Sequence, residues 1–215
     1  VIVLAVKPQV MSAVCTELAA SLHDRRPLIV SIAAGITLTA LERWFGLEAA
    51  LVRCMPNTPA LVGSGASGLF ANARVSAAQR DIADQLLGAV GLSVWVDSEA
   101  DIDSVTALSG SGPAYFFLMM EAMQESAVKL GLTPAMAKSL TYQTALGAAQ
   151  LAIASEEDTA QLRRNVTSPN GTTERAINHF EDGGLRQLVD GALTAAHDRS
   201  VELAGEVHSL LQPHK

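Results

Sequence analysis

The stretch VIVLAV at positions 1–6, followed by Lys7 and Pro8, decides the fold. A continuous apolar, β-branched run is the pattern of a strand buried on both faces of a parallel sheet. Working outward, positions 9–22 carry Val10, Val14, Leu18 and Leu22 at four-residue spacing, which predicts a helix with one buried face. LIVSIA at 28–33 is a second strand broken by Gly35, and 37–44 reads as a short helix capped by Thr37. LVRCM at 51–55, a weaker run at 68–71 and LSVWV at 92–96 are further strands, with a helix at 76–90 that starts on Ser76. Strand and helix alternating at this spacing give an α/β layer with a mainly parallel sheet. A buried strand seldom begins a domain, and Val1 is neither an initiator Met nor part of a targeting segment, so further chain carrying part of the fold is expected upstream.

From about Asp101 onward every segment carries helix signals. Pro113 opens one helix after Ser109-Gly110-Ser111-Gly112, and Gly131 closes it. Thr133 and Pro134 begin the next, rich in small residues as far as Ala154. Ser155 with Asp158 resembles a capping box for a short helix ending near Val166. Pro169-Asn170-Gly171 precedes another start, and Gly183-Gly184 separates it from a final helix at 185–211. Residues 1–103 are therefore read as an α/β domain and 104–215 as an all-helical one. The helix at 113–130 holds Tyr115, Phe116, Phe117, Leu118, Met119, Met120 and Met123, apolar around most of its circumference, so it must be enclosed. A domain of about 110 residues buries such a helix poorly alone, and an obligate homodimer is expected.

At 215 residues the chain is long enough for one large domain or two small ones without covalent staples. Cys15 and Cys54 form neither a disulfide framework nor a metal-ligand pattern, which points to a reducing, cytoplasmic setting. No apolar run reaches the ~18 residues of a membrane-spanning helix. A formal charge of −7 with only 4% aromatic residues supplies neither the phosphate-neutralising stripe nor the stacking platforms of a nucleic-acid binder. His23, His179, His197, His208 and His214 lack metal-ligand spacing, and neither a nucleophile elbow nor a P-loop occurs. No metal site is expected.

Gly63-Ser64-Gly65-Ala66-Ser67-Gly68 satisfies G-x-G-x-x-G, but the dinucleotide fingerprint requires a strand leading in and a helix leaving. Leu69-Phe70-Ala71-Asn72 looks extended, so a glycine-rich turn between strands is the preferred reading. Ligands of open α/β sheets sit beyond the carboxyl ends of strands. That selects Val6-Lys7-Pro8, Ala33-Ala34-Gly35 and Pro56-Asn57-Thr58-Pro59, where the small Ala33 and Ala34 admit a flat ring and Lys7 or Asn57 offers polar contacts. The stretch NVTSPNGTTE at 165–174 places unpaired amides and a helix dipole at one spot. A substrate carboxylate can be held there by the N–H groups of Gly171, Thr172 and Thr173 and by the Thr173 hydroxyl. The plain alternative is N-capping by Thr172 or Thr173. Glu156, Glu157 and Asp158 read as helix-opening acids, and Asp97, Glu99, Asp101 and Asp103 as a solvated face.

AVKPQ at 5–9, SIAAGIT at 31–37, RCMPNTPA at 53–60, LSGSGPAY at 108–115 and VTSPNGTT at 166–173 together resemble the pyrroline-5-carboxylate reductases, in order and spacing, across essentially the whole chain. The resemblance implies reduction of 1-pyrroline-5-carboxylate to L-proline by NADPH, sometimes NADH, the last step of proline synthesis. It implies an N-terminal Rossmann domain, incomplete here, and a C-terminal helical dimerisation domain, often in a ring of five dimers. It also implies that Ala5, Val6, Lys7 and Pro8 line the cofactor, with Ala33, Ala34 and Glu99 nearby. Asn165, Gly171, Thr172 and Thr173 match the substrate-contacting stretch, with Thr173 catalytic and Glu156 an acid near the ring nitrogen.

The family's own G-x-G-x-x-G belongs about 60 residues before AVKP, and without it the pyrophosphate loses its main backbone cradle, so NADPH binding by these residues alone is expected to be weak. Two other readings stand beside the reductase. A different NADP-linked reductase of Rossmann and helical-dimer layout would want a catalytic Lys on the first long helix of the second domain, where only Lys129 lies, near its end. The other is a dimerising fragment without turnover.

Overall fold

The computed structural model describes residues 1–23 and 25–210, the side chains of 208–210 excepted; Leu211 and His214 lie outside them. Five strands form one sheet in the order β1 (Ile2–Leu4), β2 (Leu28–Ser31), β3 (Ala50–Met55), β4 (Gly65–Ala71) and β5 (Gly91–Trp95). β1–β2, β2–β3 and β4–β5 pair in parallel, while β3–β4 is antiparallel. The reversal follows from chain length, since a parallel crossover needs a dozen residues or more and the link at 56–64, with a 3₁₀ turn at Thr58–Val62, is shorter. The mainly parallel sheet read from the sequence is the one formed.

The crossovers are α1 (Pro8–Leu22), α2 (Leu38–Phe45) and α3 (Ala77–Gly88). Pro8 occupies the first position of α1, where its missing N–H costs nothing. On one side of the sheet Met11, Cys15, Ile36 and Leu41 pack with Leu4, Ile29 and Leu51. On the other, Ala83 and Leu87 of α3 pack with Val30, Val52, Cys54 and Leu69. β2 and β3 thus face apolar layers on both sides, as continuous hydrophobic runs require. β1 does not: it ends the strand order with Val3 44% exposed, so VIVLAV forms the strand read from it but without the two-sided burial expected. Ser76 closes a capping box with Gln79 at the start of α3 (3.3 Å and 2.9 Å).

Beyond β5, α4 (Asp101–Val105) runs into a π turn at Thr106–Gly110, in which the Ser111 N–H donates to Thr106 O at 2.8 Å. The helices that follow are α5 (Gly112–Lys129), α6 (Pro134–Ala154), α7 (Thr159–Asn165), α8 (Thr172–Asp182) and α9 (Leu185–Leu210). Thr133 caps α6 through the Met136 N–H. The start of α7 corrects the sequence reading: Asp158, not Ser155, is its cap, accepting from Gln161 N at 2.7 Å. Ser155 ends α6, and its hydroxyl accepts from Glu157 N, so Glu156 and Glu157 lie in the turn and do not open the helix.

Two compact units result: Val1–Pro113 joined by the described residues from Leu193 on, and Ala114–Ala192. In the second, Phe116, Phe117 and Leu118 of α5 and Leu140, Leu146, Leu151 and Ile153 of α6 are all more than half exposed. Among the described residues no helix is long and apolar enough to cross a membrane.

Candidate active site

Within the first unit, β1 and β2 end side by side. Leu4 is in register with Ser31, and the Ile32 N–H donates to Leu4 O at 3.1 Å, so Ala5, Val6 and Lys7 leave the sheet level with Ile32, Ala33 and Ala34. Ala5, Val6, Lys7 and Ala34 are exposed, and from Ala33 to Gly35 no side chain extends beyond a methyl group. Gly35 adopts φ +75°, a conformation that disfavours a side chain, with the Leu203 carbonyl of α9 only 3.7 Å from where a Cβ would stand. The result, with Ala33 and Gly35 themselves buried, is a shelf at the carboxyl edge of two parallel strands whose open surface is the Ala34 methyl flanked by Ala5, Val6 and Lys7, the edge at which open α/β sheets place their ligands.

Glu99 stands behind this shelf. Its Oε1 accepts from the Leu38 N–H at 2.7 Å, in the first turn of α2, and from Arg53 Nη1 at 3.0 Å. Arg53, 4% exposed in the apolar run of β3, also has Nη2 4.0 Å from Asp103 Oδ1, which accepts from the Ser200 hydroxyl of α9 at 2.7 Å. Glu99 and Asp103 are therefore not a solvated face. They belong to a buried polar chain assembled from four separate segments, because an arginine in a two-sided strand requires paired carboxylates.

The glycine motif at 63–68 forms no phosphate loop. Gly63 ends the 3₁₀ turn at φ +69°, and Gly65 opens β4 with its N–H on Val90 O at 2.8 Å. Close packing explains the glycines: a Cβ on Gly68 would meet Val105 at 2.7 Å, and one on Gly91 would meet Gly65 O at 2.0 Å. Asn57 is likewise committed to structure, donating to Ser109 O and accepting from Ala66 N.

In the second unit, α8 begins at a turn fixed by Asn170 at φ +59° and by Gly171, whose missing Cβ would lie 2.9 Å from Ser168 O. Gly171 itself is the N-cap, and neither Thr172 nor Thr173 supplies a capping oxygen. The threonine cap offered as the plain alternative is thus absent. The Gly171 N–H, read from the sequence as one of the free amides, is instead engaged: it donates to Ser168 O at 3.0 Å and closes the turn. Glu174 folds back onto the Asn170 N–H at 2.7 Å, leaving the Thr172 and Thr173 amides among those without an intrahelical acceptor. Asn165, at the end of α7, accepts from Gln161 at 2.7 Å and donates to Glu157 at 2.6 Å. Glu156 is exposed in the turn before α7.

Comparison with known proteins decides the family. Residues 99–203 match the family described as pyrroline-5-carboxylate reductase dimerisation. Over 207 residues the chain is 60% identical to the pyrroline-5-carboxylate reductase of Pseudomonas aeruginosa, covering 96% of this chain and 76% of that protein. The chain belongs to the pyrroline-5-carboxylate reductase family. The Haemophilus influenzae reductase is 45% identical over 94% of this chain and 75% of its own length. The solved structure of the Coxiella burnetii pyrroline-5-carboxylate reductase superposes with a TM-score of 0.91 at 51% identity, covering 94% of this chain and 75% of that one. The Plasmodium falciparum pyrroline carboxylate reductase with NADP bound gives 0.85 at 32% identity, covering 94% and 79%.

The matched dimerisation segment contains Glu99, Glu156, Asn165, Gly171, Thr172 and Thr173 together with the exposed faces of α5 and α6. Sequence reasoning missed Arg53, Asp103 and Ser200. A single charge inside LVRCM was a usable signal for Arg53, because a buried guanidinium must find carboxylates somewhere. Nothing local marks Asp103 or Ser200, which lie 97 residues apart in the chain.

Proposed function

We propose that this chain reduces 1-pyrroline-5-carboxylate to L-proline with NADPH as the preferred nicotinamide cofactor and NADH as the alternative, working in the cytoplasm as a homodimer that assembles further into a decamer. The observation that carries the reading is 60% identity to a pyrroline-5-carboxylate reductase along nearly the whole chain. In this reading residues 1–103 form part of the NAD(P)-binding domain and residues 104–215 the dimerisation and substrate domain. Two free, buried cysteines suit a reducing compartment.

The shelf fits a nicotinamide dinucleotide: the exposed Ala34 presents only a methyl group to a flat ring, and Ala5, Val6, Lys7 and Pro8 flank it at the same sheet edge. When bound, that cofactor supplies the hydride. The protein's share is binding and orientation. Thr172 and Thr173 amides at the positive end of α8 hold the substrate carboxylate without an arginine, and the Thr173 hydroxyl adds a directional contact. Asn165, already fixed by Gln161 and Glu157, keeps one carboxamide hydrogen for the ligand. Glu156 supplies a carboxylate toward the ring nitrogen, stabilising the protonated imine, whose carbon is the better hydride acceptor. No catalytic histidine is required.

The test, on the full-length protein, is loss of absorbance at 340 nm with 1-pyrroline-5-carboxylate and NADPH, run beside 3-hydroxyacid and ketopantoate substrates. Turnover with the cyclic imine and appearance of proline is the expected result. Turnover confined to another substrate, or none at all, overturns the proposal.

A further inference from the structure

The chain of polar groups behind the shelf has a geometry that a stabilising ion pair alone does not need. One oxygen, Glu99 Oε1, serves both Arg53 Nη1 and the Leu38 N–H, so the guanidinium and the first turn of α2 are held through a single atom. Thr37 caps the same helix by accepting from Ala40 N at 3.2 Å, which leaves the Leu38 amide to be satisfied from outside. Glu99 does so from 61 residues away in sequence. At the other end, Asp103 Oδ1 receives Ser200 Oγ and faces Arg53 Nη2. The segment between β2 and α2 is thereby gripped from three sides: the Ser31 hydroxyl accepts from Ala33 N at 3.4 Å, Glu99 holds Leu38, and α9 stands behind Gly35.

We infer that Arg53 is a positioning residue for the cofactor shelf: through Glu99 it fixes the backbone of residues 33–38, and through Asp103 it ties that backbone to α9. On this view Glu99 acts through the Leu38 amide and not by touching the cofactor. The inference rests on the reductase reading only for the identity of the ligand on the shelf. A buried guanidinium shared by two carboxylates holds its geometry because any displacement leaves charge unpaired in an apolar layer. A lysine keeps the charge but cannot present two nitrogens in a fixed fork, so Arg53→Lys loosens the shelf without emptying the site.

The test reads two quantities that do not depend on turnover: NADPH affinity by fluorescence titration and hydrogen exchange of the Leu38 amide. Arg53→Lys is expected to speed exchange at Leu38 at least tenfold, to weaken NADPH at least fivefold, and to leave KM for 1-pyrroline-5-carboxylate within twofold of wild type. Should Arg53→Lys fail to fold, Ser200→Ala, which removes one hydroxyl at the far end, carries the same test with a two- to threefold effect of the same sign. Glu99→Gln separates the two roles of Glu99. It keeps an acceptor for Leu38 and loses the charge that holds Arg53, so it should track Arg53→Lys. Faster exchange with unchanged NADPH affinity, or unchanged exchange, overturns the inference. A wild-type chain that binds no NADPH overturns the proposed function as well, whereas wild-type binding that Arg53→Lys leaves unmoved overturns this inference alone.

Discussion

Thr173 stands at the second position of α8, one residue beyond the first free amide, so its hydroxyl and its N–H point toward the same end of the helix axis. Thr173→Ala removes the hydroxyl and keeps the amide. We expect kcat/KM for 1-pyrroline-5-carboxylate to fall at least tenfold, with Thr173→Ser recovering most of it, both read from steady-state kinetics. Gly171 is constrained differently: a Cβ would lie 2.9 Å from the Ser168 carbonyl, so Gly171→Ala must shift the turn and tilt the amides. If the proposed role of these amides is right, KM for the imine should rise severalfold in steady-state kinetics while NADPH affinity stays level, because the shift is confined to the turn before α8. Burial pushes the Cys15 thiol up to about 11 and the Cys54 thiol up to about 12, the latter despite a hydrogen bond with Ser67. A raised thiol pKa means that the folded state keeps its proton where the unfolded state has lost it. The resulting stability is complete below the unfolded value near 9 and is lost as pH climbs through the folded values. Thermal unfolding between pH 7 and pH 11 should show Tm falling above about pH 9, less steeply in Cys54→Ala than in wild type.

At the scale of elements, most of the fold is legible wherever one local signal acts alone. VIVLAV, LIVSIA and LVRCM become β1, β2 and β3, and Ser76 and Thr133 cap the helices they were read to cap. Two kinds of signal misled. Gly65, Ser67 and Gly68 read as turn residues because their strand role comes from a tight approach of β5 and Val105, which no neighbouring residue announces. Ser155 and Asp158 both suit a helix start, and the choice of Asp158 is decided by where α6 ends. In the candidate site, the turn before α8 was legible because Pro169, Asn170 and Gly171 specify it locally, whereas the Arg53 cluster joins residues from β3, α4 and α9. Gly91 is the sharpest test of the packing explanation. With φ at +148° and a Cβ position 2.0 Å from Gly65 O, Gly91→Ala forces β4 and β5 apart. It should lower stability by roughly 1–3 kcal/mol in denaturant titration, with hydrogen exchange increasing first along Gly65 to Leu69.

For the whole molecule, α5 and α6 lie inside the segment that matches the dimerisation family and carry exposed apolar side chains. Phe117 is 62% exposed and Ile153 84% exposed in the single chain, and Phe116, Leu118 and Leu151 are each more than half exposed, a density of exposed large apolar side chains that soluble monomers rarely display. A second copy covering these faces is the arrangement expected from the dimerisation segment. Sedimentation should return at least twice the chain mass, and Phe117→Glu should shift the population to monomer with loss of turnover. The path of α9 adds a constraint of a different kind. It starts in the second unit and finishes in the first, bringing Ser200 to Asp103, 97 residues earlier in the chain, and Leu203 to Gly35, earlier still. The interior behind the sheet is therefore completed by residues that follow the whole second unit in the chain, and no cut at a single peptide bond separates the two units intact.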